Sequence, residues 1–201
     1  MNICIITGDI INSKKVDPQK WLPKLKTILS LFGNEPGQWE IFRGDSFQLE
    51  TTPENALNVA FRIKVNIRLI KGLDVRLAVG IGEKTYCAEK ITESNGSAFV
   101  HSGECFDQLK LNKLAIKTPW DNFDIEMNLY LEMLSNLVFD KWTELSIMLV
   151  NEMFESEFAK QSELAQKLHK SQSNISIGLK RAGFDEIRKV MDVYLLKLKN
   201  Q

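Results

Sequence analysis

Cysteine and histidine are scarce in this sequence, which has three cysteines and two histidines among 201 residues. Cys4, Cys87 and Cys105 are an odd number without close spacing. We therefore do not expect a disulfide framework. We expect free thiols in a reducing compartment. A zinc site is not expected either, because no cysteine pair accompanies His101 and His169.

Long apolar runs are also missing. No apolar stretch approaches the roughly 20 residues that a membrane-spanning helix needs. The apolar N-terminal run is short and lacks the basic leader of a signal peptide. Low-complexity tracts are absent, and the composition, 44% hydrophobic and 26% charged, is typical of a soluble globular protein. We therefore expect a cytoplasmic protein without membrane association, long enough for one full core and a small appendage.

Net charge is zero, but the charges are unevenly placed. Residues 160–201 contain nine basic and four acidic residues, a net charge of +5. Residues 121–157 contain nine acidic residues and one basic residue, Lys141. A basic end behind an acidic segment often marks a polyanion-binding end, although a solvated helical surface has the same composition.

The first 125 residues alternate between strand patterns of period two and helical patterns. Asp17 and Pro18 resemble a helix cap and first-turn proline, although Pro23 favours a later start near Leu22. The predicted strands are 2–8 (ended by Gly8), 39–42, 46–50, 74–81 and one or two edge strands within 112–125; the predicted helices start at Pro18 or Leu22, Thr52 and Ala98. The order β-α-β-β-α-β-α-β predicts a ferredoxin-like split βαβ plan, with one antiparallel sheet covered by helices on one face.

From about residue 125 onward the pattern is helical throughout. We place a boundary near residues 118–127, although no flexible glycine-serine linker marks it. The fold class predicted is thus α+β, with a ferredoxin-like domain at residues 1–120 and an all-α unit at residues 125–201.

Within the helical unit, residues 161–183 have the pattern of a helix-turn-helix. Leu164, Ala165 and Leu168 form the inner face of a short helix, and Ser171 can cap a second helix. The amides, hydroxyls and cations on the outer side of the second helix are suited to base edges and phosphates. The predicted DNA-binding residues are Gln172, Ser173, Asn174, Ser176, Lys180 and Arg181.

This segment resembles the helix-turn-helix of bacterial transcription regulators and sigma-factor-like modules. It departs from them where His169 replaces the usual turn glycine and Lys170 replaces an apolar residue, so a distorted turn is expected. The alternative is a helical bundle whose second helix only packs. A single unit would bind DNA weakly, so we expect a homodimer.

Two aspartates lie in distinctive sequence contexts. Asp9 follows the apolar N-terminal run, and Asp45 lies at the bend of the hairpin formed by residues 39–50. If the first strand pairs beside that hairpin, the two carboxylates meet at one edge of the sheet. Charge-dense oxygens placed in this way can hold a divalent cation at a phosphate.

The chain resembles the SatD family of bacterial proteins over nearly its whole length. The motifs that carry the resemblance are Ile6-Thr-Gly-Asp-Ile-Ile-Asn-Ser13, Phe42-Arg-Gly-Asp-Ser-Phe-Gln48, Arg76-Leu-Ala-Val-Gly-Ile-Gly82 and Asn95-Gly-Ser-Ala-Phe99 with Ser102-Gly103. The first domain in turn resembles the palm of class III nucleotide cyclases and diguanylate cyclases. That resemblance implies that Asp9 and Asp45 bind Mg²⁺ or Mn²⁺ at nucleotide phosphates. It also implies nucleotide binding near Ile10, Asn12, Ser13, Arg43 and Gly44.

The chain lacks parts of the cyclase pattern. Residues 100–109 have neither the asparagine nor the arginine expected there, and the glycine-rich hairpin signature is reduced to Arg43-Gly-Asp-Ser-Phe47. A structural role is the alternative for Asp45, because an aspartate in a turn commonly accepts hydrogen bonds from backbone amides. His101 is a candidate general base but is more typical of a structural residue, and Arg76 is a candidate phosphate ligand or a surface partner of a carboxylate.

Three functions follow as expectations. The leading one is a DNA-binding transcriptional regulator whose palm binds a metal-nucleotide or serves as a dimerisation platform. The second is a metal-dependent, cyclase-like enzyme that processes nucleotides with Asp9 and Asp45. The third is a protein-interaction module with a degenerate palm, which would bind neither nucleotide nor DNA.

Overall fold

The computed structural model describes residues 2–109, 112–157 and 160–201. Within these ranges the chain forms five β-strands and eight α-helices. The strands are β1 (Ile3–Ile11), β2 (Trp39–Phe42), β3 (Ser46–Thr51), β4 (Asp74–Gly82) and β5 (Leu114–Lys117). The helices are α1 (Pro18–Ser30), α2 (Ala56–Arg68), α3 (Ser97–Gln108), α4 (Asp121–Leu137), α5 (Glu144–Glu155), α6 (Gln161–Lys167), α7 (Gln172–Arg181) and α8 (Phe184–Leu198). None of the described helices has both the length and the apolar character that crossing a membrane requires.

The five strands form one mixed sheet in the order β2-β3-β1-β4-β5. The first four strands pair antiparallel with their neighbours, whereas β5 is parallel to β4. The prediction of a wholly antiparallel sheet was therefore wrong at one edge. The reason is that α3 connects β4 to β5 as a crossover, and a crossover returns the chain in the same direction.

Helices cover both faces of the sheet, which corrects the prediction of a single covered face. Along β1, Cys4, Ile6 and Ile10 belong to the main core with α1 and α2. Ile5 points to the opposite face, where it packs with Ile91 and with Ala98 at the start of α3. Alternate residues of a strand point to opposite faces, so an unbroken apolar run in β1 fits burial on both sides.

Helix α3 approaches the sheet closely because β4 has glycine where the backbones meet. A Cβ on Gly80 would lie 2.2 Å from the backbone nitrogen of Ser102 and 2.4 Å from the carbonyl oxygen of Ala98. The side chain of Ser102 is fully buried in the contact and donates to Thr7 Oγ1 at 2.7 Å. A residue larger than glycine at position 80 would therefore push α3 away from the sheet.

The structure extends one predicted strand and decides between the two predicted starts of the first helix. Strand β1 does not end at Gly8 but continues to Ile11, because β4 pairs with it up to Ile11. Helix α1 begins at Pro18, where the Asp17 side chain caps it by accepting from the Gln19 backbone amide at 3.0 Å. Pro23 lies inside α1 and does not delay its start.

The buried core is continuous across the boundary predicted between residues 118 and 127. One apolar cluster extends from Cys4 in β1 to Tyr194 in α8. The Tyr194 hydroxyl donates to the carbonyl oxygen of Pro53 at 2.5 Å. Asn128 of α4 closes the free edge of β5, since its side-chain amide makes two 2.8 Å hydrogen bonds with the backbone of Ile116.

A buried ion cluster also joins these parts of the chain. Asp74, at the start of β4, contacts Lys64 Nζ at 2.9 Å, Arg68 Nη1 at 3.2 Å and Lys113 Nζ at 3.2 Å. Lys113 also pairs with Asp140 at 2.6 Å. Burial lowers the pKa of Lys64. Burial raises the pKa of Asp74, but the charge and hydrogen bond of Lys64 outweigh it, so the pKa of Asp74 is lowered.

Candidate functional site

Helix α7 packs on one side against α5, α6 and α8. Ile175 and Leu179 are buried on its inner face. Gly178 allows a close approach to α5, because a Cβ there would lie 2.4 Å from Leu149 Cδ1. The Trp142 indole N–H donates to the carbonyl oxygen of Ala182 at 2.8 Å, which fixes the end of α7 against the start of α5.

The turn between α6 and α7 forms although it contains no glycine. His169 adopts the left-handed conformation that glycine usually supplies, with φ of 51°. The His169 amide donates to Gln166 and the Lys170 amide to Ala165, which is the hydrogen-bond pattern of a Schellman motif. Ser171 then caps α7 by accepting from the Asn174 backbone amide at 3.2 Å. The predicted cap is confirmed, and the departure at His169 is accommodated by its positive φ.

The outer face of α7 is polar and solvent-exposed. Six residues were predicted to contact DNA from this helix, and the structure places all of them on the exposed side: Gln172, Ser173, Asn174, Ser176, Lys180 and Arg181. Within the described chain, no ion pair joins Lys180 or Arg181 to an acidic side chain. The face thus presents amides, hydroxyls and two cations, with Ile177 half exposed among them.

A basic groove of about 430 Å³ lies between α5 and α7 beside this face. Its cations are Lys141, Lys170 and Arg181, and no acidic residue of the described chain lines it. Lys141 was not among the predicted DNA-binding residues, because it lies in an acidic segment about thirty residues before α7. Folding brings Lys141 to the groove through the packing of α5 on α7. No local sequence signal identifies a residue of this kind.

The two predicted carboxylates lie at the same end of the sheet. Asp9 stands in β1 opposite Ser46 of β3, and the Ile10 amide donates to the backbone oxygen of Asp45 at 3.1 Å. Asp45 therefore lies in the hairpin turn beside β1, at the bend where the sequence places it. Its carboxylate accepts from the hydroxyl of Ser13 at 2.5 Å.

Asp9 is already bonded to a cation of the protein. Arg76 lies directly opposite it on β4, and Arg76 Nη2 contacts Asp9 Oδ2 at 2.5 Å. The guanidinium of Arg76 lies 5.3 Å from the ring centroid of Phe106 in α3, which holds it on this face of the sheet. Ser46 donates to the second oxygen of Asp9 at 3.4 Å.

The two carboxylates do not belong to a larger cluster of metal-ligating side chains within the described chain. Nowhere in the described chain are three or more histidine, cysteine, aspartate or glutamate side chains grouped to hold an ion. Mg²⁺ and Mn²⁺ bind hard oxygen ligands, and one of the two candidate carboxylates is neutralised by Arg76. A cation at Asp9 would share the carboxylate with Arg76 or displace that side chain.

The predicted nucleotide-binding residues differ in how each is placed relative to Asp45. The Ile10 side chain is buried in the core, so only its backbone lies near Asp45. Asn12 turns the chain with φ of 64° and donates to the carbonyl oxygen of Gly72 at 3.2 Å, on the side of α2 and β4. Arg43 and Gly44 form the hairpin bend with positive φ and are exposed. Ser13 is the residue of this set whose side chain contacts a predicted carboxylate.

The weaker candidates have structural roles. His101 lies on α3, and its Nδ1 is 2.6 Å from the carbonyl oxygen of Ile81. Cys4 and Cys105 are buried and free, and they pack as small apolar residues of the core. Burial raises the pKa of both thiols, that of Cys105 to about 12, so neither is a reactive thiolate.

The chain matches no protein-family model, and a search of curated proteins found no match to it. The resemblance to the SatD family and to the cyclase palm therefore stays a prediction from the sequence motifs.

Proposed function

We propose that the protein is a DNA-binding regulator that inserts α7 into the major groove. The observation that carries the proposal is the polar outer face of α7 lying beside a groove with three cations and no described acid. A helix that served only to pack would also have a polar outer face, so the adjoining groove with three cations is what distinguishes α7. The helical arrangement of residues 161–183 and the capped start of α7 support the same assignment.

The residues of this surface divide by chemistry into two roles. Gln172 and Asn174, near the start of α7, are suited to paired hydrogen bonds with an adenine edge. Lys141, Lys170 and Arg181 border the groove, where they can neutralise phosphates and set the position of the helix. Base-reading residues should therefore control sequence preference, and the groove cations should control affinity for any duplex.

Binding to a pool of random-sequence DNA duplexes at several salt concentrations tests the proposal. We expect the wild-type affinity to fall steeply with salt, and the salt slope to become shallower by about 1 for each groove cation replaced by alanine. Lys24→Ala, which removes an exposed lysine of α1, is the matched control and should leave the slope unchanged. Equal effects of Lys141→Ala, Arg181→Ala and Lys24→Ala would reject the assigned surface.

Selection of bound sequences from the same pool then separates the two roles. Asn174→Ala should relax the preference at one base position, a change of about 1–3 kcal/mol in discrimination, while the salt slope stays the same. Wild-type protein that enriches no sequence would limit the activity to non-specific DNA binding.

For the first part of the chain we propose a ferredoxin-like, cyclase-type palm that acts as a scaffold. The order β2-β3-β1-β4 with antiparallel neighbours supports the palm assignment, since it is the order of a split βαβ unit. The Asp9–Arg76 ion pair favours a scaffold over metal-dependent turnover. The cyclase-like enzyme is the competing proposal, and it requires this pair to open.

Thermal unfolding with Mn²⁺ and nucleoside triphosphates distinguishes the two proposals for the palm. A scaffold should show no metal-dependent shift, whereas a ligand at about 100 times its dissociation constant stabilises by about 2.7 kcal/mol. Arg76→Gln frees the Asp9 carboxylate and should increase Mn²⁺ binding. A nucleotide shift in the wild type that Asp9→Asn abolishes would favour the enzyme.

A further inference from the structure

An open cleft of about 600 Å³, here called the α2–α5 cleft, lies between the end of α2, the start of β4 and the first turns of α5. Its lining includes, on the side of α2 and β4, Arg68, Asp74 and Lys113 and, on the side of α5, Trp142, Ile147 and Met148. Small-molecule sites typically have volumes of about 300–1,000 Å³ and mostly apolar walls with a few convergent polar groups. The α2–α5 cleft has this size and this kind of lining, and it lies outside the surface proposed for DNA.

The carboxylate of Asp74 in this cleft is already fully bonded. Asp74 Oδ1 accepts from Lys64 Nζ at 2.9 Å and from the Val75 amide at 2.8 Å. Asp74 Oδ2 lies 3.2 Å from both Arg68 Nη1 and Lys113 Nζ. A carboxylate offers about four acceptor positions, so Asp74 has none left for a ligand that donates hydrogen bonds.

The guanidinium of Arg68, in contrast, has donors to spare. It carries about five N–H groups, and its bond to Asp74 is made by Nη1. Within the described chain Arg68 makes no other hydrogen bond or ion pair, although its side chain is only 16% exposed. The ion cluster as a whole also has a cation in excess, because three cations face two carboxylates: Lys64, Arg68 and Lys113 against Asp74 and Asp140.

We propose that the α2–α5 cleft binds a small organic acid, with its charged group at Arg68 and its apolar body against α5. The spare donors of a partly buried guanidinium are suited to an anionic oxygen, because charge-assisted hydrogen bonds are strong. Ile147 and Met148 supply an apolar wall for the rest of the molecule. Lys71 and Glu144 also line the cleft, but they pair with each other at 3.5 Å and add no net charge.

Trp142 connects the α2–α5 cleft to α7. It lines the cleft, and its indole N–H donates to the carbonyl oxygen of Ala182, the C-terminal cap residue of α7, at 2.8 Å. The first turns of α5 separate the cleft from the basic groove: Glu144, Ile147 and Met148 line the cleft, whereas Leu145, Ser146 and Leu149 line the groove. The consequence, which rests on the proposed function, is that a bound acid changes the affinity of α7 for DNA.

Fluorescence titration of the full chain with anilinonaphthalenesulfonate tests the site without DNA. This dye has one sulfonate on an apolar ring system, and phenylnaphthylamine is the same ring system without the charge. We expect the sulfonate dye to saturate one site per chain. Arg68→Gln should weaken its binding about 10-fold through loss of a charge-assisted hydrogen bond, and should leave the uncharged dye unaffected.

Met148→Glu is the second variant, because a carboxylate on the apolar wall of the cleft should repel the sulfonate dye and abolish its binding. Leu145→Glu is the matched control. It makes the same change one turn earlier in α5, on a side chain that lines the groove instead of the cleft, and should leave the affinity for the dye unchanged. Thermal unfolding shows whether each variant remains folded. If Arg68→Gln does not, Met148→Glu decides by the same criterion.

A wild type without saturable binding of the sulfonate dye would overturn the proposal, as would equal dye affinities of the wild type, Arg68→Gln and Met148→Glu. Random-sequence duplexes titrated with and without saturating dye then test the link to α7. The affinity for DNA should change with the dye in the wild type but not in Met148→Glu, and unchanged affinity in both would reject the link through Trp142. A wild type that binds the dye at this site but binds no DNA would leave the site standing and reject the proposed function instead.

Discussion

Replacing Asp74 by asparagine should strongly destabilise the protein. The Asp74 carboxylate is the shared partner of three cations, and the Lys64 side chain among them is 1% exposed. Asparagine keeps the shape of the side chain but removes the charge that balances Lys64, Arg68 and Lys113. Removing one partner of a buried ion pair typically costs about 3–5 kcal/mol. For a chain of this length that loss lowers Tm by roughly 6–20 °C.

Calorimetry and urea denaturation of matched variants measure this effect. Asp140→Asn is the control, because Asp140 also pairs with Lys113 but its side chain is 43% exposed. An exposed pair contributes about 1 kcal/mol or less. Adding Lys64→Met to Asp74→Asn should recover part of the lost stability, since it removes the unbalanced buried charge. Equal small losses for Asp74→Asn and Asp140→Asn would refute the reasoning.

The same cluster predicts how stability depends on pH. The pKa of Asp74 is lowered in the folded protein, with burial opposing the shift and Lys64 prevailing. The stabilisation of the folded state by ionised Asp74 is therefore fully present above the pKa of the unfolded chain, about 4. It is lost as the pH falls through the lower pKa that Asp74 has in the folded protein. Between pH 7 and pH 3, the stability of the wild type should fall more than that of Asp74→Asn.

Two smaller changes test the packing of the sheet and the start of α7. Gly80→Ala in β4 should lower the free energy of unfolding by about 3 kcal/mol or prevent folding, because its Cβ would overlap the backbone of α3. Gly103→Ala within α3 has open space around its Cβ and should stabilise the protein slightly. Thermal unfolding compares the two, and equal effects would contradict the close contact. Ser171→Ala should cost about 1 kcal/mol through loss of the cap on α7; hydrogen exchange that remains unchanged at the start of α7 would show that the cap is unimportant.

Local patterns predicted most of the elements of the fold. A short β-branched apolar run identified β1, and alternation of period two identified β4, because burial of a strand depends on which of its faces are covered. Asp17 and Ser171 marked the starts of α1 and α7, because a cap acts on amides only two or three residues away. The exposed face of α7 followed from helical spacing in the same way.

Contacts between distant segments were not predictable in this way. Asp9 was recognised as a conspicuous carboxylate, but its pairing with Arg76 depends on the register of β1 against β4, 67 residues apart. The parallel placement of β5 depends on α3 crossing the opposite face of the sheet. Lys141 reaches the groove beside α7 only when α5 packs on α7.

The sequence by itself thus determined which segments are strands and helices, where α7 begins, and which of its side chains face solvent. These properties depend on interactions between residues within one or two turns of each other. The tertiary structure decided that Asp9 is neutralised by Arg76, that one core crosses the predicted boundary, and that α4 keeps a second apolar face exposed. Each of these depends on register and packing between segments far apart in the chain, which no local periodicity encodes.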